Sequence, residues 1–479
     1  MKALFKSLSA AVVLTSAMWS APALAQAPAA AAQFDAATIA RGKYLATASD
    51  CMACHTAHHG QPMAGGLVMS SPVGDIVSTN ITPSKQHGIG KYTAQQFSDA
   101  VRKGVRADGQ MLYPAMPYTA YAKMTDADVN AMYAYFMQGV PAVDKATTET
   151  SLPFPMSIRQ SMKVWNALFL DDQPLKVNPE RSAQWLRGQY LAEGAAHCTT
   201  CHTPRGMLMQ EDKSRHLAGA QVGPWYAPNI TSHPVAGIGA WTEDEVVQYL
   251  QTGRVAGKAQ AAGSMAEAIS LSFSHLEPAD LRAIAVYIKS LPPAVGDADQ
   301  TVGLSRFEQG KSGNALDKIR GVSYAENIKG ANLGAQIFSA NCASCHGFNG
   351  QGTKDGYYPS LFHNSATVNT SNLLATILLG VDRKTLEGHV FMPPFGEQVN
   401  AVNHLSDTEV AALANYMLAK FGPGQAAATI TPKAVAEIRQ GGPQSHLLMM
   451  ARAGAVLGVL ALALVIVFVL RRRKRAASV

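Results

Sequence analysis

Cys51-Met52-Ala53-Cys54-His55 returns as Cys198-Thr199-Thr200-Cys201-His202 and as Cys342-Ala343-Ser344-Cys345-His346, and these six cysteines are the only ones among 479 residues. Two thiols three positions apart can each add to a vinyl group of one haem, and the histidine that follows is placed to ligate its iron. A zinc site needs further Cys or His at close spacing, and a disulfide framework has no reason to put a histidine after every second cysteine. The motifs therefore predict three covalently bound haem c groups. Cys51, Cys54, Cys198, Cys201, Cys342 and Cys345 would attach them, with His55, His202 and His346 on the irons.

Outward from the motifs the chain repeats itself. They stand 147 and 144 residues apart, which fits three domains in a chain of this length. Arg41-Gly42-Lys43-Tyr44-Leu45-Ala46 precedes the first and Arg187-Gly188-Gln189-Tyr190-Leu191-Ala192 the second, with Gly334-Ala335-Gln336-Ile337-Phe338 a looser third copy. Asn80-Ile81-Thr82 with Gly88-Ile89-Gly90 is echoed by Asn229-Ile230-Thr231 with Gly237-Ile238-Gly239. Helical periodicity follows both echoes. Each module closes on a further helix carrying Tyr135, Tyr287 or Tyr416, and Thr125 and Ser406 read as N-caps of two of these. Period-2 alternation is almost absent, so the fold class expected is all-α: three tandem cytochrome c-type haem domains plus one C-terminal transmembrane helix.

An iron that passes electrons without binding small molecules needs a sixth ligand, and Met raises its potential. With 19 methionines in the chain, position must discriminate. Met116, Met265 and Met392 lie 61, 63 and 46 residues after His55, His202 and His346, each just before the closing helix. The recurrence of one Met in one slot selects them. A proline follows Met116 and Met392 and restrains the backbone there, whereas Ala266 follows Met265. Met63, Met69, Met207 and Met209 read as packing or loop residues, and His87, His233 or His389 would be the ligands in a bis-histidine alternative.

Both termini bear on location. Residues 1–25 have Lys2 and Lys6, an apolar run and Ala23-Leu24-Ala25, the pattern of a cleaved secretory signal. Ala453 to Leu470 is an uncharged run of 18 residues closed by Arg471, Arg472, Arg473, Lys474 and Arg475. It can span a hydrocarbon core of about 30 Å. The positive-inside rule puts the tail in the cytoplasm and the rest on the periplasmic face of the inner membrane. The net charge of +7 is carried by that tail and the signal, leaving residues 26–470 neutral, so nothing argues for nucleic-acid binding. The expected boundaries are signal 1–25, domains 26–145, 184–295 and 331–423, linkers 146–183, 296–330 and 424–446, anchor 447–470 and tail 471–479.

Cys51 to Thr56, Gly65-Gly66, Ser78 to Pro83, His87 to Gly90, Tyr113 to Tyr118 and His202-Thr203-Pro204-Arg205 together resemble the triheme cytochrome c subunit of the membrane-bound dehydrogenases of acetic acid bacteria and their relatives. Asp355 to Leu361, Gly380-Val381-Asp382-Arg383 and the anchor resemble most the subunit that serves flavin-dependent enzymes for fructose, gluconate or sorbitol. The resemblance implies a catalytic flavoprotein partner, a small third subunit, and delivery of electrons to ubiquinone. The chain has no G-x-G-x-x-G fingerprint or nucleophile elbow, so substrate oxidation is expected on another polypeptide. Other classes remain open from the residues: a cytochrome donor to a terminal oxidase, and a multihaem peroxidase, which needs an open sixth position.

Overall fold

The computed structural model describes residues 33–296, 333–398, 400–422, 429–443 and 445–476. The expected signal and nearly all of the 296–330 linker lie outside the described residues. Module one has α1 (Ala36–Ala48), α2 (Cys51–His55), a hairpin of β1 (Val68–Ser71) and β2 (Gly74–Val77), then α3 (Ala94–Lys103), α4 (Tyr118–Tyr121) and α5 (Asp126–Gln138). The linker 146–183 carries α6 (Ser161–Phe169) and lies along module one, where Tyr113 Oη donates to the Met156 carbonyl (2.7 Å) and Tyr118 Oη to Asn166 (2.8 Å).

Module two repeats the plan with α7 (Ala183–Tyr190), α8 (Cys198–His202), β3 (Ala220–Val222) paired to β4 (Trp225–Ala227), and α9 (Glu243–Thr252). A second, smaller hairpin, β5 (Arg254–Val255) with β6 (Ala259–Gln260), leads to α10 (Gly263–Leu271) and α11 (Pro278–Lys289). Module three has α12 (Leu333–Asn341), α13 (Ala343–His346), α14 (Thr370–Leu379), the hairpin of β7 (Val381–Thr385) and β8 (Gly388–Met392), and α15 (Asp407–Phe421). The chain is mostly helical, with four two-stranded antiparallel hairpins among the described residues. The all-α expectation omitted these hairpins because strands of two to five residues are too short to show a period-2 pattern.

In every module the first helix crosses the last at a glycine. A Cβ on Gly42, Gly188 or Gly334 would come within 1.9, 1.9 and 2.0 Å of the carbonyl oxygens of Ala131, Ala283 and Ala412. Only a residue without a side chain lets the backbones meet so closely.

The helix starts follow their sequences. Ser406 and Glu409 form a full capping box on α15, as do Thr93 with Gln96 on α3 and Thr242 with Glu245 on α9. At α5 only half forms: Thr125 accepts from the Asp128 N–H (3.2 Å), while the Asp128 carboxylate goes instead to Arg41 and Tyr190.

That diversion joins modules one and two. Arg41 Nε donates to Asp128 (2.6 Å) and Tyr190 of module two reaches the same carboxylate (2.5 Å). Reciprocally, Arg187 donates to Asp280 (2.9 and 2.6 Å) and Tyr44 of module one reaches it (2.7 Å). One apolar core runs through both modules, from Leu45 and Phe136 to Leu281 and Ile284. Module three has its own core, which α16 (Pro432–Arg439) completes with Val435 and Ile438. The expected linker 424–446 thus contains a packed helix.

The last helix, α17 (Leu447–Ala476), holds a 25-residue segment, Leu447–Arg471, long and apolar enough to cross a membrane. At 1.5 Å per residue it reaches about 37 Å.

Candidate functional site

The three Cys-x-x-Cys-His segments form the short helices α2, α8 and α13, each delivered by the helix before it. No disulfide joins the cysteines. Burial pushes the thiols of Cys51, Cys54, Cys198 and Cys342 up to about 12 and raises that of Cys201. Reactive redox cysteines and metal-binding thiolates sit in electropositive surroundings that lower the thiol instead. At the first two motifs, neutral and sheltered thiol pairs suit conversion to thioethers.

Each motif histidine is held in the same way. His55 Nδ1 bonds the Thr79 carbonyl (2.7 Å), His202 Nδ1 the Pro228 carbonyl (2.6 Å) and His346 Nδ1 the Pro359 carbonyl (2.9 Å). A carbonyl only accepts, so Nδ1 carries the proton and Nε2 keeps its lone pair, the state an iron ligand needs. Burial lowers the pKa of His55 and His346 against the opposing effect of these bonds, which favours the neutral ring. The histidine backbone is gripped too: its carbonyl accepts from the N–H of Gly65, Gly219 or Gly352, each at 2.7 Å. These three glycines have φ of +67, +91 and +68°, and a Cβ there would strike the extended segment bearing the histidine's carbonyl partner.

The carbonyls are themselves fixed, and here the Asn-Ile-Thr echo finds its role. Asn80 Oδ1 accepts from the N–H and hydroxyl of Thr82 (2.9 and 2.7 Å), and its amide donates to the Val143 carbonyl (2.8 Å). Asn229 does the same with Thr231 (2.9 and 2.8 Å) and the Ala294 carbonyl (2.7 Å). All four side chains are buried. Each Asn immediately follows the residue whose carbonyl orients the histidine. Thr79, Pro228 and Pro359 were not singled out from sequence, since a backbone acceptor has no side-chain signature. The repeated Asn-Ile-Thr was the available signal.

Met116 lies in the turn before α4, Met265 in the first turn of α10, and Met392 at the end of β8. All three are half-buried at the edge of an apolar core. Among the other candidates, Met63 is buried, Met207 is exposed, and Met69 sits on β1. His233 Nδ1 accepts from the backbone N–H groups of Val235 and Ala236, and His389 pairs with Asp382 (2.8 Å). Arg205 is committed to the Thr200 carbonyl (2.7 Å).

The first two motifs lie near one another. The buried carboxyl of Asp50, pushed up to about 8 by burial and then by Glu267, raises the thiols of Cys51 and Cys54 and also that of Cys201. Each donor set fits a haem c group, and the first two sets lie close together. Among the described residues no cluster of three or more His, Cys, Asp or Glu could hold a separate metal ion.

The family model described as cytochrome c matches three times, at residues 39–139, 186–292 and 331–420. The chain is 46% identical to the fructose dehydrogenase cytochrome subunit of Gluconobacter japonicus, over 92% of each protein. It is 37% identical to the alcohol dehydrogenase (quinone) cytochrome c subunit of Gluconobacter oxydans (strain 621H), over 85% of this chain and 83% of that one. It is also 36% identical to the gluconate 2-dehydrogenase cytochrome c subunit of Pantoea cypripedii, over 85% of this chain and 91% of that one.

Proposed function

The chain belongs to the cytochrome c family, among the cytochrome subunits of dehydrogenases, and from that premise we propose that it is a triheme relay between a catalytic flavoprotein and ubiquinone. It is an electron-transfer subunit and not catalytic on its own. Haem c, when bound, supplies a one-electron iron couple. The observation that carries the reading is the threefold recurrence of a histidine anchored through Nδ1 beside two free thiols.

In this reading Cys51 and Cys54, Cys198 and Cys201, and Cys342 and Cys345 form the thioethers. His55, His202 and His346 are the fifth ligands, and Met116, Met265 and Met392 the sixth. The expected boundaries at 26–145, 184–295 and 331–423 are retained for the three haem domains; the matches of the family model fall inside them. Leu447–Arg471 anchors the chain in the inner membrane, with the basic tail cytoplasmic and the haem domains periplasmic. The likeness to the fructose and gluconate dehydrogenase cytochrome subunits supports a dehydrogenase partner, and the family resemblance implies the flavin in it, the small third subunit and the quinone acceptor.

The test is purification of the full chain in detergent with whatever accompanies it. The mature polypeptide should carry three added haem masses. Fructose, gluconate or sorbitol should reduce the haems only while a flavoprotein is present, and added ubiquinone analogue should reoxidise them. Fewer than three haem masses would defeat the triheme relay, and reduction without a flavoprotein would defeat the choice of partner.

A further inference from the structure

Among the described residues Arg383, on β7, is the largest side chain with almost no exposure, 1%, and it reaches out of its own module. Its Nη1 donates to the Ala261 carbonyl (2.7 Å) and its Nη2 to the Gln260 side chain (3.1 Å), both in module two. Gly253 makes room for it: a Cβ there would fall 2.4 Å from Arg383 Cδ. Nε has no partner, and among the described residues no carboxylate pairs with the guanidinium. Burying a cation without a counter-ion is expensive. Packing alone would be served better by an apolar residue.

The two groups that Arg383 holds lie immediately before α10, four and five positions ahead of Met265. One residue on, the Lys384 N–H donates to Ser270 Oγ (3.1 Å) near the far end of the same helix. Module three therefore grips α10 at both ends. Trp225, partly buried against module three's core, closes over Gly263 at the helix start. Met265 is also the one candidate ligand without a following proline to restrain it.

We propose that Arg383 is a positioning residue for the second haem: from module three it fixes the backbone that delivers Met265, so that module two's sixth ligand is set by its neighbour. The proposal rests on Met265 being that ligand. The hairpin bearing Arg383 also ends in Met392, whose backbone pairs with Val381 two residues from Arg383. One hairpin thus serves the sixth ligands of two haems.

The experiment uses the haem-loaded full chain in detergent and two readouts, the far-red charge-transfer band of oxidised His/Met haem and a potentiometric titration. M265L should remove about one third of the band, one haem of three. R383Q should remove part of that same third and lower one of the three potentials, since a weakened Met bond lowers the potential. R383Q added to M265L should cost no further band. R383K, which keeps the charge and one donor, should recover part of the loss, and it carries the same test if R383Q does not accumulate. A full band and three unchanged potentials in both Arg383 variants, with M265L still losing its third, would make Arg383 a packing residue and overturn the proposal. Should M265L itself leave the band whole, Met265 is not a ligand and the proposal falls with that reading.

Discussion

At the scale of single residues, each haem site rests on one backbone oxygen. An imidazole can turn about two bonds, and the carbonyls of Thr79, Pro228 and Pro359 stop it turning. Asn80 and Asn229 fix two of those carbonyls with three or more side-chain hydrogen bonds each. Asn229→Ala strands the Thr231 N–H and removes the shortest bonds of the Thr231 hydroxyl and the Ala294 carbonyl, which keep only their mutual contact at 3.4 Å, so we expect a loss of about 1–3 kcal/mol. Urea titration should show a lower midpoint with an unchanged slope. Thr231→Val should cost a similar amount, about 1–3 kcal/mol, because its hydroxyl donates to Asn229 Oδ1 (2.8 Å) and accepts from the Ala294 N–H (3.1 Å), and both partners lose it. A midpoint unchanged in Asn229→Ala would mean that the carbonyl is held by the chain alone. The sequence displayed this pair twice without disclosing its purpose: the acceptor that matters belongs to the preceding backbone, and identical bonds form whether that residue is Thr79 or Pro228.

At the scale of elements, the recurring unit is a helix crossing with a glycine at its centre. Gly42→Ala, Gly188→Ala and Gly334→Ala would each drive a methyl group to within 2.0 Å or less of a carbonyl oxygen. The helices must separate, at about 1–3 kcal/mol or more. Gly454, on α17 with nothing within 4 Å of its Cβ position, is the matched control and should be neutral to alanine. Thermal melts of the three variants test this, and a melt as high as wild type for any of them would show that its crossing can relax. The crossings also show why the third repeat was faint in sequence. Module three keeps Gly334, which the backbone contact demands, but has Leu333 and Gln336 where the other copies have Arg41 and Tyr44 or Arg187 and Tyr190. Helices and caps were legible because 3.6-residue periodicity and Ser/Thr caps act within one turn. The hairpins were not, and neither was the use of Asp128 across a module boundary, because both depend on partners distant in sequence.

At the scale of the whole molecule, those lost residues decide which modules belong together. Tyr44 and Tyr190 exchange places across the joint between modules one and two, and the two modules share one core; module three, lacking both, keeps a separate core. Modules one and two should therefore melt as a single cooperative unit and module three as another. Tyr44→Phe and Tyr190→Phe should each lower the first transition by about 1 kcal/mol and leave the second in place. The two sites use different carboxylates, so the effects should add in the double variant. Acid gives an independent check. Burial alone would raise Asp280, but its bonds to Arg187 and Tyr44 outweigh this and hold it below the ordinary value of 3.8. A carboxyl whose folded pKa is depressed stabilises fully above its unfolded value and loses that contribution as pH falls through the folded one. Calorimetry from neutral pH downward should then show the joint losing this contribution only below about pH 4, and Asp280→Asn should flatten that part of the acid dependence. If Asp280→Asn left the acid dependence of the first transition unaltered, or moved the second transition equally, the reciprocal tyrosine joint would not be what binds modules one and two.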